Sequence, residues 1–304
     1  MKKPIIYSLL FIFSIPLFSQ NITLKGTVIN GQTNEPIAYA AVGLIKANKG
    51  VSTDEKGVFE LENVDIKDSL VVSCMGFKRF IVSVKDVRTD IKLTPSVFEL
   101  PTVTIKPLKK EELVLNDFSN KSKGNYRSTN LKEMSQLAQV FENPDGGIWF
   151  LKRLKLAQMQ WFLIFPKQPS IFKIRFYGID ETGKPNGIDL CSAVLVKSDG
   201  SHIETIELSE KGVQMPKNGL AIAIEWIKME SNAYSDKYTG KDKDGKKYKD
   251  IHRYYAPRIG IIEPMDEKRT IYQLNYRNEW VCYEPLFEKG FKYSKLKLAL
   301  TLSN

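Results

Sequence analysis

The sequence predicts an all-β protein in which two β-sandwiches follow an export segment. Three observations support this fold class. Short runs of alternating apolar and polar residues, the period of half-buried strands, recur along most of the chain. Segments rich in Gly, Asn, Asp and Pro separate these runs and predict turns. No long run with a helical period lies between them, so a parallel α/β fold is disfavoured.

Residues 1–20 predict a signal peptide. Lys2 and Lys3 form a basic start, and the apolar run that follows over residues 5–18 is interrupted by Pro16. A basic and then apolar N-terminus is typical of secretory signals, and this run is short for a membrane span. We therefore expect an exported protein of the periplasm or outer cell surface, with membrane association only peripheral or through a partner.

Residues 21–94 predict the first sandwich. Ile22, Leu24 and Val28 alternate with polar residues, as in a strand with one buried face. Asp54 and Gly57 fit the first and last positions of a four-residue turn between two apolar runs, which predicts a hairpin. This acidic turn lacks the alternating oxygen donors of a calcium loop, so we interpret it as a plain turn.

Four segments of this region form a family pattern. They are GTV at residues 26–28, EPIAYAAV at 35–42, STDEKGVF at 52–59 and LVVSCMGF at 70–77. The pattern resembles the carboxypeptidase-regulatory-like, or transthyretin-like, domain. The resemblance implies a transthyretin/Ig-like sandwich in an envelope protein of Bacteroidota-type bacteria, where such a domain precedes a nutrient receptor or stands alone.

Residues 95–130 predict a linker, with prolines at positions 95, 101 and 107 and a segment at 109–116 that could form a short helix. In the related TonB-dependent receptors a similar segment leads into a plug and a long transmembrane barrel. The residues that follow here are too few for both. We therefore expect the stand-alone form, without a receptor barrel or a peptidase domain.

Residues 131–304 predict a second, jelly-roll-like antiparallel sandwich. Its candidate strands are residues 156–164, 172–179, 193–196, 203–208, 220–229, 260–262, 270–274, 280–283 and 296–302. The last run places leucines at alternate positions, which indicates one buried face. Trp226 shares a face with Ile222 and Ile224, so we expect it in the core. Residues 172–177, 187–190 and 219–226 resemble, more weakly, the C-terminal part of some stand-alone family members.

Charge and cysteine content limit the partners only broadly. The formal net charge of +10 favours acidic partners, although it is also a common solubility state. Cys74, Cys191 and Cys282 are too sparse for a disulfide framework. Cys74 lies in an apolar run and is expected as a buried thiol, whereas a bridge between Cys191 and Cys282 stays open.

The residues do not support catalysis. Zinc carboxypeptidases need a His-x-x-Glu pair and a distant His, and the two histidines here, His202 and His252, start no such motif. The sequence also lacks a Gly-x-Ser-x-Gly elbow and a phosphate-binding P-loop. We therefore predict a protein that is not an enzyme and holds neither metal nor cofactor. Paired carboxylates for glycoside hydrolysis stay open, because the fold sets their separation.

The segment over residues 234–258 is the candidate binding site. Tyrosines are interleaved there with lysines and arginines, in what we predict to be a long polar loop between two sandwich strands. Tyrosine rings stack on sugars or bases, and lysines attract anionic polymers. The alternative is a solvated, mobile loop. The candidate residues are Tyr234, Tyr238, Tyr248, Tyr254, Tyr255, Lys246 and Lys247.

Together these features predict a non-catalytic exported envelope protein that binds or scaffolds a glycan or a partner protein at the outer membrane or cell surface. We expect no specific nucleic acid partner, and the oligomeric state stays open. Two alternatives remain. One is a purely structural accessory subunit of an envelope complex, and the other is a glycan hydrolase with carboxylates in a jelly-roll cleft.

Overall fold

The computed structural model describes most of the chain after the predicted signal peptide. The described residues are 21–47, 49–96, 111–118, 124–126, 136–158, 167–241, 247–262, 270–275, 279–283 and 295–304. Within these ranges the only helical elements are three 3-10 turns, Val84–Asp86, Ser209–Lys211 and Glu230–Asn232. The all-β prediction is confirmed. Over the same ranges, no helix has the length and apolarity needed to cross a membrane.

The first domain is a sandwich of two sheets, with strand orders β4-β1-β7 and β3-β2-β5-β6. Its strands are β1 (Asn21–Asn30), β2 (Ala41–Leu44), β3 (Lys49–Ser52), β4 (Val58–Asp65), β5 (Ser69–Ser73), β6 (Phe80–Ser83) and β7 (Asp90–Leu93). All pairs are antiparallel except β1 with β7. Alternate residues of both sheets, among them Val28, Phe59 and Leu70, meet in one apolar core.

The predicted turn at Asp54 is confirmed, but the predicted hairpin is wrong, because the flanking strands β3 and β4 belong to different sheets. The Asp54 carboxylate accepts hydrogen bonds from the backbone N–H groups of Lys56 and Val58, at 2.9 and 2.8 Å. Gly57 adopts φ of +74°, and a Cβ there would lie 2.7 Å from the Val28 carbonyl oxygen. The turn therefore needs both the acceptor and the glycine.

The second domain contains a large sheet with strand order β13-β12-β16-β10-β20-β21, in which β14 also pairs with β12. A second sheet has the order β15-β11-β23-β8, and smaller sheets are formed by β22-β19-β9 and by β17-β18. The strands are β8 (Glu112–Leu115), β9 (Gly124–Tyr126), β10 (Gln136–Phe141), β11 (Phe150–Ala157), β12 (Ser170–Ile179), β13 (Pro185–Asp189), β14 (Val194–Ser198), β15 (Ile203–Glu207), β16 (Leu220–Trp226), β17 (Ala233–Lys241), β18 (Lys247–Tyr255), β19 (Ile259–Ile262), β20 (Ile271–Leu274), β21 (Trp280–Cys282), β22 (Lys295–Leu296) and β23 (Leu298–Ser303).

The core of this domain lies between the two larger sheets. Phe172, Ile174 and Phe176 of β12 point into it, as does Trp226 of β16, whose predicted core position is confirmed. The leucines of β23 are buried as predicted, but Lys297 just before that strand is buried too. The other side of this strand is covered as well, because Phe118, Ala157 and Ala299 form a small apolar cluster there.

One local prediction differs from the structure here, and one strand was not predicted. The short helix over residues 109–116 is wrong where the structure describes it, because Glu112–Leu115 forms β8 and pairs antiparallel with β23. Edge pairing satisfies the backbone there, and Leu113 and Leu115 pack against the core. Residues 97–110 lie outside the described part of the chain. The sequence also gave no signal for β10, which is central in the large sheet.

Candidate functional site

A row of polar residues lies on the side of the large sheet that faces away from the core. Lys173 and Arg175 alternate along β12 with the core residues Phe172 and Ile174. Register places Glu225 of β16 directly opposite Lys173. The alternation of side chains in a strand therefore brings these charges together on one face.

Arg175 joins three strands through its guanidinium group. Its Nε and Nη2 donate to the two Asp189 oxygens at 3.1 and 2.6 Å, and its Nη1 donates to Glu225 at 3.0 Å. Gln136 Nε2 donates to the same Glu225 oxygen at 3.2 Å, and the Tyr177 hydroxyl donates to Gln136 Oε1 at 2.7 Å. With Lys173, whose ammonium lies 3.8 Å from Glu225, these residues are called the Arg175 cluster.

Burial shapes the electrostatics of the Arg175 cluster. Burial raises the pKa of Tyr177 well above its usual value, and raises the pKa of Asp189 despite the bonds from Arg175. Burial alone would lower the pKa of Arg175. The nearby carboxylates of Glu225 and Asp189 have the larger combined effect and raise the Arg175 pKa above its usual value. Two cations face two carboxylates, so the cluster is neutral and its groups are bonded to one another.

The Arg175 cluster fits a structural role better than acid–base chemistry. Both oxygens of Asp189 accept from Arg175, and Glu225 accepts from Arg175 and Gln136. A general acid needs a proton that it can deliver to a substrate atom within hydrogen-bond reach. Carboxylates that accept hydrogen bonds in this way do not supply such a proton. Asp189 and Glu225 therefore give no support to the alternative of a glycan hydrolase.

The first domain contacts the second beside this cluster. Lys173 Nζ donates to the Tyr39 carbonyl oxygen at 2.6 Å, which links β12 to the segment before β2. Nearby, Lys197 of β14 pairs with Glu55 at 3.2 Å, although both side chains are about two-thirds exposed. The half-buried Lys173 contact therefore orders the domain junction more strongly than the solvated pair.

Lys228 lies at the same junction. Its carbonyl oxygen accepts from the backbone N–H of Ser52 at 3.3 Å, so β3 meets the segment that follows β16. Burial lowers the pKa of the Lys228 ammonium from 10.5 to about 8. Near neutral pH the ammonium group is still charged, and its burial therefore lowers the free energy of unfolding.

None of the described tryptophans forms an exposed platform. Trp226 and Trp149 are buried and donate from Nε1 to the Pro257 carbonyl at 2.9 Å and to Asp145 at 2.8 Å. Trp280 is half-buried and meets the Tyr177 ring edge-on, with centroids 5.4 Å apart. Trp161 lies outside the described residues.

The segment predicted as a polar loop forms strands instead. β17 and β18 pair antiparallel over nine residues each, and residues 242–246 between them lie outside the described part. The loop prediction is wrong because tyrosine and threonine favour strands, and the backbone groups of the two runs bond to each other. We call this pair the β17–β18 ribbon. Its strands pair with no other described strand.

Register divides the β17–β18 ribbon into two sides. Tyr234 is opposite Tyr254, Tyr238 is opposite Asp250, Gly240 is opposite Tyr248, and Asp236 is opposite His252. Alternation assigns these positions to one side, the tyrosine side. The basic side holds the opposed pairs Ala233–Tyr255, Ser235–Arg253, Lys237–Ile251, Thr239–Lys249 and Lys241–Lys247.

The structure therefore brings only some of the predicted site residues together. Four candidate tyrosines, Tyr234, Tyr238, Tyr248 and Tyr254, occupy tyrosine-side positions, whereas Tyr255 and Lys247 occupy the basic side. Lys246 lies outside the described residues. The register therefore does not place all the predicted residues on one side of the ribbon.

Asn232 anchors the base of the ribbon. It is fully buried, and its Nδ2 donates to the carbonyl oxygens of Ile171 and Ile227 at 2.6 and 2.7 Å. Its Oδ1 accepts from the Ile171 N–H at 2.9 Å, and its own carbonyl accepts from Ala256 N–H at 2.9 Å. One side chain thus fixes where the ribbon leaves the sandwich.

Aromatic and charged side chains also pack at this base. The rings of Tyr234 and Tyr254 are stacked with centroids 5.5 Å apart, and the Arg258 guanidinium lies 4.1 Å from the Tyr234 centroid. On the basic side, Arg253 pairs with Glu230 and lies 5.8 Å from the Tyr255 ring. Tyr234, Tyr254 and Tyr255 therefore help to hold the base of the ribbon, a structural role that the sequence analysis did not predict for them.

The described histidines and cysteines form neither a metal-binding group of three nor a disulfide. No group of three or more His, Cys, Asp and Glu side chains in the described ranges could hold a metal ion. His202 Nδ1 donates to the Gln158 carbonyl at 2.6 Å. The three cysteines are free, so a Cys191–Cys282 bridge is not formed. Cys191 is buried, whereas Cys74, expected to be buried, is half-buried.

Sequence reasoning missed the Arg175 cluster. Its members come from four strands, and no local motif connects them. One signal was present, because Lys173 and Arg175 interrupt a strand whose other residues after Ser170 are apolar or aromatic. Two charges at alternate positions of a central strand indicate a polar face that needs partners.

Comparison with known proteins identifies only the first domain. The model of the CarboxypepD_reg-like domain matches residues 24–105. No curated protein matches the chain. Among solved structures, the clostridial cysteine protease Cwp84 after propeptide cleavage aligns at 10% identity and a TM-score of 0.36, over 94% of this chain and 66% of that one, a likeness too low to carry an argument. Residues 24–105 are thus a CarboxypepD_reg-like domain, a non-catalytic Ig-like unit.

Proposed function

We propose that this chain is a non-catalytic exported envelope protein that binds or scaffolds a glycan or a partner protein through the β17–β18 ribbon. The observation that carries the proposal is the ribbon itself. It extends over nine residue pairs, pairs with no other described strand, and separates a tyrosine side from a basic side.

A ribbon of this kind contributes little to its own domain. Isolated two-stranded hairpins are marginal in water, and this one meets the main core of the second domain through Tyr255. The sandwich below it is already closed by two larger sheets. Elements that project from a rigid scaffold in this way commonly carry recognition rather than stability.

Two features support a non-catalytic role. The first domain is a non-catalytic regulatory unit. The carboxylates of the Arg175 cluster are bonded to Arg175. Export to the periplasm or cell surface is supported by the basic and then apolar run at residues 1–20, which lies outside the described part.

Removal of the ribbon tests the proposal. In the variant, residues 235–253 are replaced by an Asn-Gly turn, so that the Tyr234–Tyr254 pair and the Asn232 anchor stay in place. We expect an unchanged thermal midpoint for the sandwich and loss of binding on a broad glycan array and to purified envelope proteins. Equal binding by both proteins would contradict the proposal.

A purely structural subunit is the second candidate, and strand β6 favours it. This edge strand of the first domain exposes Ile81 by 56% and Phe80 by 36%. Exposed apolar edge strands pair readily with another chain. If this role is correct, Ile81→Lys abolishes a stable complex with a partner subunit, whereas removal of the ribbon leaves that complex intact.

A further inference from the structure

We propose that the basic side of the β17–β18 ribbon binds an acidic polysaccharide chain. This inference rests on the proposed function and names the ligand class of the same element. It is carried by the backbone register of the ribbon together with the charges at the positions that the register brings together.

The basic side has no acidic residue among its described positions. Lys237, Lys241, Lys247, Lys249 and Arg253 all fall on it, whereas Asp236 and Asp250 fall on the tyrosine side. The charges that looked interleaved in the sequence are therefore separated in the ribbon. Along nine residues at about 3.4 Å each, the basic side is roughly 30 Å long, which accommodates several sugar rings.

The most informative pair is Lys241 with Lys247. Register places these two lysines directly opposite each other on the basic side, with Lys249 two positions further along the same strand. Like charges directly opposite in an antiparallel pair destabilise it, and a lone hairpin has little stability to lose. An anionic ligand removes this repulsion, so ligand binding and ribbon formation reinforce each other.

The register also favours a polysaccharide over a nucleic acid. Single-stranded nucleic acids bind where aromatic rings are available for stacking between cationic groups. Here four of the five tyrosines of the ribbon fall on the side opposite to the lysines. The fifth, Tyr255, is half-buried at the base beneath Arg253. A polymer on the basic side is therefore recognised by charge rather than by base stacking.

A lipid bilayer fits this surface less well. Elements that lie in a membrane interface bury an apolar face into it. The sequence over residues 241–247 is KDKDGKK, without an apolar residue. Apart from Ala233 at the base, the described positions of the basic side include one aliphatic residue, Ile251, which is 65% exposed. Among its described positions, the basic side therefore offers cations for a headgroup but little apolar surface for the membrane interior.

The test measures binding of the purified protein to polygalacturonate, with dextran as the neutral control polymer. Single-stranded DNA and vesicles of phosphatidylcholine with phosphatidylglycerol are the competing anionic probes. The basic-side variant carries Lys241→Gln, Lys247→Gln and Lys249→Gln. The matched control loses the same charge through Lys56→Gln, Lys78→Gln and Lys85→Gln, three exposed lysines of the first domain.

We expect saturable binding to polygalacturonate that weakens with salt and no binding to dextran. The basic-side variant should bind about tenfold more weakly or worse, and the control variant should stay within about twofold. Circular dichroism and thermal unfolding confirm that each variant is folded. Equal affinity of the native protein and the basic-side variant would overturn the inference, as would tighter binding to DNA or vesicles.

A tyrosine-side variant separates this inference from the proposed function. Tyr238→Ala with Tyr248→Ala changes two positions of the opposite side of the same ribbon. If a glycan is lost with this variant but kept with the basic-side variant, the ribbon is a binding element and the acidic ligand is wrong. If removal of the whole ribbon changes nothing, the proposed function fails as well.

Discussion

Arg175 and Asp189 form a two-pronged ion pair between neighbouring strands, with N···O distances of 3.1 and 2.6 Å. Parallel bonds of this kind fix the angle between the two groups as well as their distance. The third donor of Arg175 reaches Glu225 on the other side of β12. One guanidinium therefore fixes three adjacent strands on the face where the first domain docks.

Arg175→Met should destabilise the protein strongly. It leaves the Asp189 and Glu225 carboxylates, each only 11% exposed, without their main cation. Loss of one partner from a buried charge network costs about 3–5 kcal/mol. Urea unfolding of the native protein and the variant gives the difference.

The matched control for this prediction is Arg153→Met. Arg153 pairs with Glu207 on an exposed strand surface, where the two side chains are 39% and 64% exposed. Exposed pairs contribute about 0–1 kcal/mol, so we expect a small change. If both variants lose the same stability, the Arg175 cluster is not a buried network in solution.

Lys228 should make stability depend on alkaline pH. Burial holds its pKa at about 8 in the folded protein, against 10.5 for the free group. Between these values the unfolded chain binds a proton that the folded protein does not, so unfolding free energy rises as pH increases. Below pH 8 both states are protonated and the full cost of the buried charge is present.

Urea midpoints at several pH values from 7 to 10.5 check this dependence. Lys228→Met should be more stable than the native protein at pH 7 and should lack the rise that Lys228 causes. Lys197→Met is the control, because Lys197 is 65% exposed at the same domain junction. Parallel curves for the native protein and the Lys228 variant would disprove the effect.

Gly219→Ala should be among the most damaging single changes at a turn. Gly219 has φ of +104°, and a Cβ there would collide with the Phe141 carbonyl oxygen and lie 2.9 Å from the Glu142 Cα. Strained backbone of this kind costs about 1–3 kcal/mol, and the collision adds to it. Thermal unfolding measures the loss.

Gly183→Ala separates the cost of the backbone conformation from the cost of a steric collision. Gly183 has a similar positive φ of +80°, but nothing lies within 4 Å of an added Cβ. The penalty there should be limited to the backbone conformation, about 1–2 kcal/mol. A larger loss at Gly183 than at Gly219 would mean that the contact with Phe141 is not formed.

Thiol labelling should show three free cysteines with different reactivities. Burial raises the pKa of Cys191 to about 11, so little of it is thiolate at pH 8 and it should react slowly in the folded protein. In denaturant all three thiols should react with Ellman's reagent. A single reactive thiol in denaturant would instead indicate a disulfide between two of them.

Local patterns predicted the fold class well, because each depends on a few neighbouring residues. The turn from Asp54 to Gly57 combines an acceptor with a glycine at fixed spacing, and Trp226 follows the alternation of its strand. The segment at Glu112–Leu115 failed because four residues with two leucines fit either a short helix or an edge strand. Only its partner, β23, decides between them.

The candidate sites depend on information that a single sequence does not carry. The Arg175 cluster requires knowing which strands are neighbours, since Gln136 and Glu225 are 89 positions apart. The two sides of the ribbon require the register. A shift by one residue would exchange the sides of one strand and mix tyrosines with lysines again. Because the β17–β18 ribbon is polar on both sides, no apolar period marks its register in the sequence.

The anchored base of the ribbon implies a gradient of amide protection along its length. Among the described strands, each strand of the ribbon pairs only with the other. Near Asn232, four hydrogen bonds tie the chain to the sandwich. At positions farther from Asn232, the described backbone hydrogen bonds of each strand are those to the opposing strand. Deuterium should therefore enter first at the outer strand positions and last at the anchored base. Bound polymer would flatten that gradient, so exchange rates report occupancy without any label on the ligand.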